Sequence, residues 1–213
     1  MNTENIAAPV IISKTLSCYK SVKWVCKALS KDPTREALNY LYCDERDRGI
    51  HLVAVDGTRL HVFYSEDFEC MGLKSGQLYS AKISASEIVL LPSDCRLNFP
   101  HWKQVVPEYG DSTPSCVLFT EPTKLLASHA TTSIAEAILE KKLSKGNISE
   151  PFDFPRFDDS KMQDALGLGT LFTKTKGSMN WELSCEDCRS PLLFKSAEKD
   201  CEKIAVLMPV KKN

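Results

Sequence analysis

Short apolar segments separated by turn residues fill the first half of the chain, a pattern typical of β-strands. Five such segments predict five strands: APVIIS, EALNYLYCDE, GIHLVAV, RLHVFYSE and QLYSAKIS. Asp56-Gly57, between the third and the fourth, predicts a tight hairpin turn. Because the connections are short, we expect these strands to pair in antiparallel fashion.

Two helices are predicted among these strands. TLSCYKSVKWVCKALSKD carries apolar residues at intervals of three and four, behind a Thr15 or Ser17 cap. SASEIVLLP predicts a short helix with a cap at Ser84 or Ser86. The first half therefore combines a sheet with at least one amphipathic helix packed on it.

The second half repeats this mixture. Helical spacing is present in Ile134, Ala137, Ile138 and Leu143, although residues 114–150 show the weakest pattern of the chain. DDSKMQDALGLG predicts another helix, with carboxylates at its N-terminus and an end at Gly167 or Gly169. Four strands are predicted around and after it: TLFTKTK, MNWELSC, PLLFKS and KIAVLMPV.

A segment rich in proline and turn residues, NFPHWKQVVPEYGDSTPS, lies between the two halves and is the predicted linker. The fold class is therefore α+β, with helices packed on antiparallel sheet in each of two domains. We place the domains at residues 1–107 and 108–213.

Composition narrows the classes of function. The 213 residues carry 27 basic and 28 acidic side chains, a net charge of -1, so any nucleic-acid surface has to be local. The sequence contains no apolar run of the roughly 20 residues that span a bilayer, and no signal peptide. We expect a cytoplasmic protein without a membrane partner, in which the nine scattered cysteines are reduced.

Sequence motifs for catalysis and for cofactor binding are absent. The chain has no phosphate-binding loop, dinucleotide fingerprint, HExxH or GxSxG motif, and its four histidines stand far apart. Cys185 and Cys188 form one C-x-x-C, which is half of a zinc site, a redox pair or a surface turn; without a second pair, the turn is favoured. We expect no cofactor, no metal and no catalytic residue, and hence a non-enzymatic protein.

Four segments, in order and at nearly the expected spacing, resemble the bacterial sliding clamp, the β subunit of DNA polymerase III. ALSKDPTREALNYLYCDERDRGIHLVAVDGTRLHVF is similar to the start of the family's middle domain, and NFPHWKQVVP to its linker into the last domain. FPRFDDSKMQDAL, and SPLLFKS together with AVLMPV, are similar to the helix and the strands of the last domain. The resemblance implies the DNA clamp fold, in a shortened member with two domains.

The departures from the family pattern are specific. The chain begins where the middle domain would begin, so the family's first domain is expected to be absent. Residues 114–150 are shorter and less strand-like than their counterpart, which implies a reduced last domain. Thr58 replaces a histidine after Asp-Gly, and Trp102 replaces a linker tyrosine.

In this family a groove between the last two domains receives short peptides from polymerases and from the clamp loader. The resemblance places this peptide site at Leu38, Gly57, Thr58, Arg59, Leu60, Pro100, Trp102, Val105, Phe157, Val206, Met208, Pro209 and Val210. Apolar residues would form an adaptable floor for leucine or phenylalanine anchors, and Arg59 would bind carbonyl or acidic groups.

A simpler interpretation exists for each member of this set. Leu60, Val105 and Val206, taken singly, are more often core residues. Arg59 has the alternative of pairing with a nearby carboxylate, and Asp56-Gly57 that of a hairpin turn alone. The joint occurrence of three separated segments favours the groove.

Family clamps present basic side chains on helices to DNA phosphates, without base readout. The equivalent basic stripe here is predicted on and just after the first helix, at Lys20, Lys23, Lys27, Lys31 and Arg35. The alternative is a solvated helix face, the usual role of such a stripe.

Two function hypotheses follow. The first is a clamp-like replication or repair protein that binds polymerase and clamp-loader peptides and encircles double-stranded DNA regardless of sequence, as a homo-oligomer such as a trimer or together with a full-length clamp. Its variant is a regulator that does not encircle DNA but captures clamp-binding peptides or docks on a complete clamp. The second, an enzyme or nucleotide-binding protein with a borrowed fold, has no supporting motif.

Overall fold

The computed structural model describes residues 8–46, 48–94, 97–120, 127–144, 156–166, 179–187, 189–198 and 201–210. The chain divides into two compact units. The first comprises Met1–Trp102 and Glu198–Lys203, and the second comprises Lys103–Ala197 and Ile204–Asn213. Each unit combines antiparallel strands with helices, which confirms the predicted α+β fold class.

Six strands build the sheet of the first unit: β1 (Val10–Ser13), β2 (Leu41–Arg46), β3 (Gly49–Val55), β4 (Arg59–Ser65), β5 (Leu78–Ile83) and β6 (Glu87–Pro92). Their order across the sheet is β1-β6-β5-β2-β3-β4, and every neighbouring pair is antiparallel. All five predicted strands are present, and β6 is an addition.

The first predicted helix is shorter than its sequence pattern suggested. Helix α1 spans Tyr19–Val25, continues as a 3-10 turn over Cys26–Ala28, and ends where Leu29 turns to extended backbone. Its N-cap is Cys18, without a side-chain hydrogen bond, so the predicted Thr15 or Ser17 cap is wrong. A second short helix, α2 (Asp67–Cys70), follows β4.

Helix α1 packs its apolar face on the sheet. Trp24, Val22 and Val25 are fully buried, and the Trp24 ring stacks on the His61 imidazole of β4 with centroids 4.4 Å apart. His61 Nδ1 also lies 2.9 Å from the Trp24 carbonyl oxygen. The helix that carries the basic stripe is thereby fixed to the strand that follows the Asp56-Gly57 turn.

The predicted helix in SASEIVLLP is wrong, since Glu87–Pro92 is strand β6. Ile88 and Leu90 are fully buried while Val89 and Leu91 are only half-buried, so the burial period is two rather than 3.6. Ser84 does accept a hydrogen bond from the Glu87 amide, 3.0 Å from its Oγ, but this bond closes the turn between β5 and β6.

The segment predicted to be a linker begins packed on the first unit. Phe99 stacks on Tyr42 of β2 with centroids 4.9 Å apart. Trp102 is buried, donates from Nε1 to Asp44 Oδ2 at 3.0 Å, and lies against the His51 ring at 5.2 Å. Residues 99–102 are therefore part of the first unit by their contacts.

The far end of the chain also contributes to the first unit. Glu202 accepts a hydrogen bond from Arg46 Nη1 at 2.8 Å, and Lys203 Nζ lies 5.9 Å from the centroid of the Phe63 ring. Both residues belong to the last strand of the chain, yet their contacts are with β2 and β4.

The remaining strands are β7 (Ser115–Thr120), β8 (Met179–Ser184), β9 (Leu192–Glu198) and β10 (Cys201–Leu207), and the remaining helices are α3 (Ala127–Ser144) and α4 (Asp159–Ala165). They belong to the second unit except for Glu198 and the first three residues of β10, which are counted in the first. The strand order is β10-β9-β8-β7, and α3 contacts β7 and α4. Trp181, Phe194, Ile134 and Met162 form the buried core of the second unit. The strand predicted in TLFTKTK, and Gly167 and Gly169, lie outside the described residues.

Candidate partner-binding site and basic helix

The hairpin tip between β3 and β4 is organised by one carboxylate. Asp56 Oδ1 accepts hydrogen bonds from the Thr58 amide at 2.9 Å, the Thr58 hydroxyl at 2.7 Å and the Arg59 amide at 3.0 Å. Gly57, between them, adopts the left-handed conformation with φ of +89°. Burial raises the pKa of the Asp56 carboxyl, but the bonds from Thr58 and Arg59 and the Arg59 charge outweigh it and hold this pKa below its usual range.

Arg59 joins this tip to the end of the basic helix. Its Nε donates to Asp56 Oδ2 at 2.8 Å, and its Nη2 donates to the Lys27 carbonyl oxygen. Lys27 lies in the last helical turn, where carbonyl groups have no partner within the helix, so Arg59 caps that end. Arg59 therefore forms an ion pair with a nearby carboxylate, which was the alternative to peptide binding.

Arg35 reaches the same tip but is loosely held. Its Nη1 donates to the Asp56 carbonyl oxygen at 3.4 Å, and its Nε lies 3.7 Å from Asp32 Oδ2. The Arg35 side chain is 53% exposed, against 12% for Arg59. A Cβ built on Gly57 would overlap Arg35 Nη1, so the guanidinium occupies the space beside Gly57.

The apolar members of the predicted peptide site in the first unit differ in exposure. Leu60 is fully buried and pairs with Val55, and Trp102 is 6% exposed. Leu38 is half-buried in a 3-10 turn, Glu36–Asn39, and Pro100 is exposed. Two of these four side chains are thus accessible.

In the second unit the accessible members lie mainly after the last strand. Met208 is 45% and Val210 is 52% exposed, while Val206, inside β10, is buried. The Val210 amide donates to the Arg156 carbonyl oxygen at 2.9 Å, next to buried Phe157. Val105, in the segment after Trp102, is 37% exposed, and Pro209 is half-buried.

The basic stripe is only partly helical. Lys20 and Lys23 lie on α1 and Lys27 in the following 3-10 turn, all half-buried, whereas Lys31 and Arg35 are exposed beyond the helix end. Because the backbone is extended at Leu29, the helical spacing that linked Lys31 to the other three does not apply. Helix α1 itself carries no acidic residue.

Sequence reasoning missed Asp56 as an organising residue, although a signal was present. Three of the four D-x-[ST] segments form the same turn, in which the aspartate Oδ1 accepts from the amide and hydroxyl two residues later: Asp32 with Thr34, Asp56 with Thr58, and Asp158 with Ser160. In the fourth, which begins at Asp111, the Thr113 amide donates to the Gly110 carbonyl oxygen instead. The third is the N-cap of α4, as predicted from its carboxylates.

Among the described residues, no group of three or more histidine, cysteine or acidic side chains could hold a metal ion. Cys18, Cys26, Cys43, Cys116 and Cys185 are free thiols, and burial raises the pKa of Cys26 to about 12. Cys185 is buried in the turn before β9, where its Sγ donates to the Asp187 carbonyl oxygen; Cys188 lies outside the described residues. None of the described helices is long and apolar enough to cross a membrane.

Sequence comparison finds no relative of this chain, because no protein-family model and no curated protein matches it. Solved structures do match. The β subunit of DNA polymerase III from Thermotoga maritima is 15% identical, with a TM-score of 0.53 over the whole chain and 68% of that protein. The sliding clamps from Bacillus subtilis and Caulobacter crescentus give 14% and 16% identity, with TM-scores of 0.54 and 0.51.

These similarities define the fold as that of a DNA clamp. More closely, it is the fold of the bacterial DNA polymerase III β subunits, which confirms the fold that four short sequence segments predicted. The match to the Bacillus subtilis clamp covers 97% of this chain and 65% of that protein. The match to the Caulobacter crescentus clamp covers 100% of this chain and 68% of that protein. It therefore spans about two thirds of the length of the clamps that it resembles.

Proposed function

We propose that this chain is a non-enzymatic, clamp-like protein of DNA replication or repair that binds short peptides of polymerases and clamp-loader subunits. Its two units would be the two clamp domains predicted for residues 1–107 and 108–213. It would act in the cytoplasm, and would hold double-stranded DNA through phosphate contacts of the basic stripe.

The observation that carries this proposal is the exposed apolar segment directly after β10, in a chain with the clamp fold. Met208 and Val210 stay about half exposed directly after a buried strand. Single exposed apolar residues are common on protein surfaces. Here Met208, Val210 and Val105 are also the residues that the resemblance assigns to peptide binding, and methionine adapts to side chains of different shape.

The hairpin tip is the surface of the first unit that we propose for peptide contact. Asp56 holds the Thr58 and Arg59 backbone in a fixed turn, so little conformational entropy would be lost when a partner binds there. Because Leu60 is buried, its role in this proposal is to support the tip rather than to touch the peptide.

A peptide titration tests the proposal. A labelled peptide with a glutamine followed by leucine and phenylalanine should bind in the high-micromolar to millimolar range, because burying two such side chains contributes roughly 3 to 6 kcal/mol before ordering costs. The matched control is the same peptide with both anchors replaced by alanine. Equal or absent binding of the two peptides at millimolar concentration would contradict the proposal.

Two measurements distinguish a clamp that encircles DNA from a regulator that does not: retention of the protein on circular DNA, and the mass of the protein in solution. Oligomers that stay on closed circles and leave linearised DNA would indicate a protein that encircles DNA. A monomer that binds the peptide but does not stay on circles would indicate the regulator instead.

A further inference from the structure

The two arginines at the hairpin tip are held very differently. Arg59 is 12% exposed and makes short bonds to Asp56 and to the Lys27 carbonyl oxygen. Arg35 is 53% exposed, and its two polar contacts, to the Asp56 carbonyl oxygen and the Asp32 carboxylate, are 3.4 and 3.7 Å long. Contacts of that length between exposed groups contribute little, so Arg35 can leave the tip at small cost.

Arg35 is a member of the proposed DNA site and lies beside Gly57 of the proposed peptide site. It is the last member of the basic stripe, and its guanidinium fills the space beside Gly57, where a Cβ would overlap Nη1 and lie 3.3 Å from Cζ. A peptide that docks against Gly57 therefore needs the place that Arg35 occupies. A phosphate group offers the guanidinium two charged acceptors, a stronger partner than one backbone carbonyl.

We propose that Arg35 is a movable cover over Gly57, which closes the tip when DNA is absent and leaves it to bind phosphate, so that DNA and peptide each raise the affinity of the other. This inference rests on the proposed function. The coupling is reciprocal, because both ligands favour the same displaced position of one side chain. Asp56 and Arg59 keep the tip itself in shape while Arg35 moves.

The test compares Arg35→Ala with Lys82→Ala, a variant of an exposed lysine in the same unit but outside the stripe. In the parent protein, saturating short duplex DNA should raise affinity for the leucine-phenylalanine peptide by about three- to fivefold, the range set by a loosely held exposed pair. Arg35→Ala should show that higher affinity without DNA, and DNA should add nothing further. Lys82→Ala should behave as the parent does.

The possible outcomes distinguish a failure of this inference from a failure of the proposed function. Peptide binding that is equal in the parent and in Arg35→Ala without DNA would overturn the movable cover and leave the proposed function standing. The same holds if DNA still raises peptide affinity in Arg35→Ala. Peptide binding by neither protein would overturn both, whereas binding by Arg35→Ala alone would support the cover. Equal melting temperatures of all three proteins confirm that only the contact has changed.

Discussion

The predicted peptide-binding residues of the two units differ in what their side chains do. In the first unit Leu60 and Trp102 are 0% and 6% exposed and hold the sheet and its covering segment together. In the second, Met208 and Val210 are 45% and 52% exposed. The residues assigned by resemblance therefore include two kinds of side chain: buried ones that support the fold beneath a surface, and exposed ones that a partner can touch.

The largest effect that separates the two groups is expected at Leu60. Leu60→Ala should lower the free energy of unfolding by about 2 to 5 kcal/mol, because it removes a fully buried side chain from β4 and leaves a cavity. Chemical denaturation measures this. Leu16→Ala is the matched control, since Leu16 is 39% exposed in the same unit. If the two variants unfold at the same denaturant concentration, Leu60 is not a core residue.

The second effect is expected on binding rather than on stability. Met208→Ser combined with Val210→Ser should weaken binding of the leucine-phenylalanine peptide about tenfold or more, because exposed anchor contacts are lost. The unfolding free energy should change by less than about 1 kcal/mol, since both side chains are about half exposed and the hydrogen bond from the Val210 amide to the Arg156 carbonyl oxygen remains. Loss of fold instead of affinity would show that this segment only completes the last sheet.

The third effect is on DNA and concerns the first unit. Lys20→Glu with Lys23→Glu should reduce retention on circular DNA and lower the slope of log affinity against log salt by about two. Lys14→Glu with Lys82→Glu is the matched control, since both lysines are exposed and outside the stripe. Equal retention by the two double variants would mean that the stripe is a solvated face.

The smallest effect is expected at the N-cap of α4. Hydrogen bonds from Ser160 and Lys161 hold the pKa of Asp158 below its usual range, so its contribution to stability is present above the unfolded pKa and is lost as pH falls through the lowered one. Asp158→Asn should cost about 1 kcal/mol or less at neutral pH and nothing at strongly acidic pH. Thermal unfolding across pH measures it. A difference that persists in strong acid would contradict this assignment.

The sequence predicted those strands whose neighbours are close along the chain. The Asp56-Gly57 turn places GIHLVAV and RLHVFYSE side by side, and β3 and β4 pair in that register. Turn residues and the alternation of apolar and polar positions both extend over only a few residues, so both can be recognised in a short segment.

The error at SASEIVLLP has a definite physical origin. Ser84 followed by Glu87 matches a helical capping box, but the same hydroxyl-to-amide bond closes the turn between two strands. A four-residue apolar run contains too little periodicity to choose between a helix and a strand. Strand β6 is flanked by β5, its neighbour along the chain, and by β1, about 75 residues earlier, and the pairing with β1 cannot be predicted from the local segment.

The site was predicted less completely than the fold, because exposure depends on tertiary packing. Nothing local distinguishes Leu60, buried against its sheet, from Met208, left in solvent. Arg35 is a similar case. Its position beside Gly57 depends on a loop and a hairpin that are 21 residues apart.

The contacts of Glu202 and Lys203 with β2 and β4 have a consequence for the order of synthesis. A ribosome adds Trp102 about 100 residues before it reaches these two, a delay of about 5 to 20 seconds at common elongation rates. During that interval the first unit exists without the pairing partner of Arg46 and without the lysine beside Phe63. The first unit is begun early in translation and completed late, with the synthesis of the second unit lying in between.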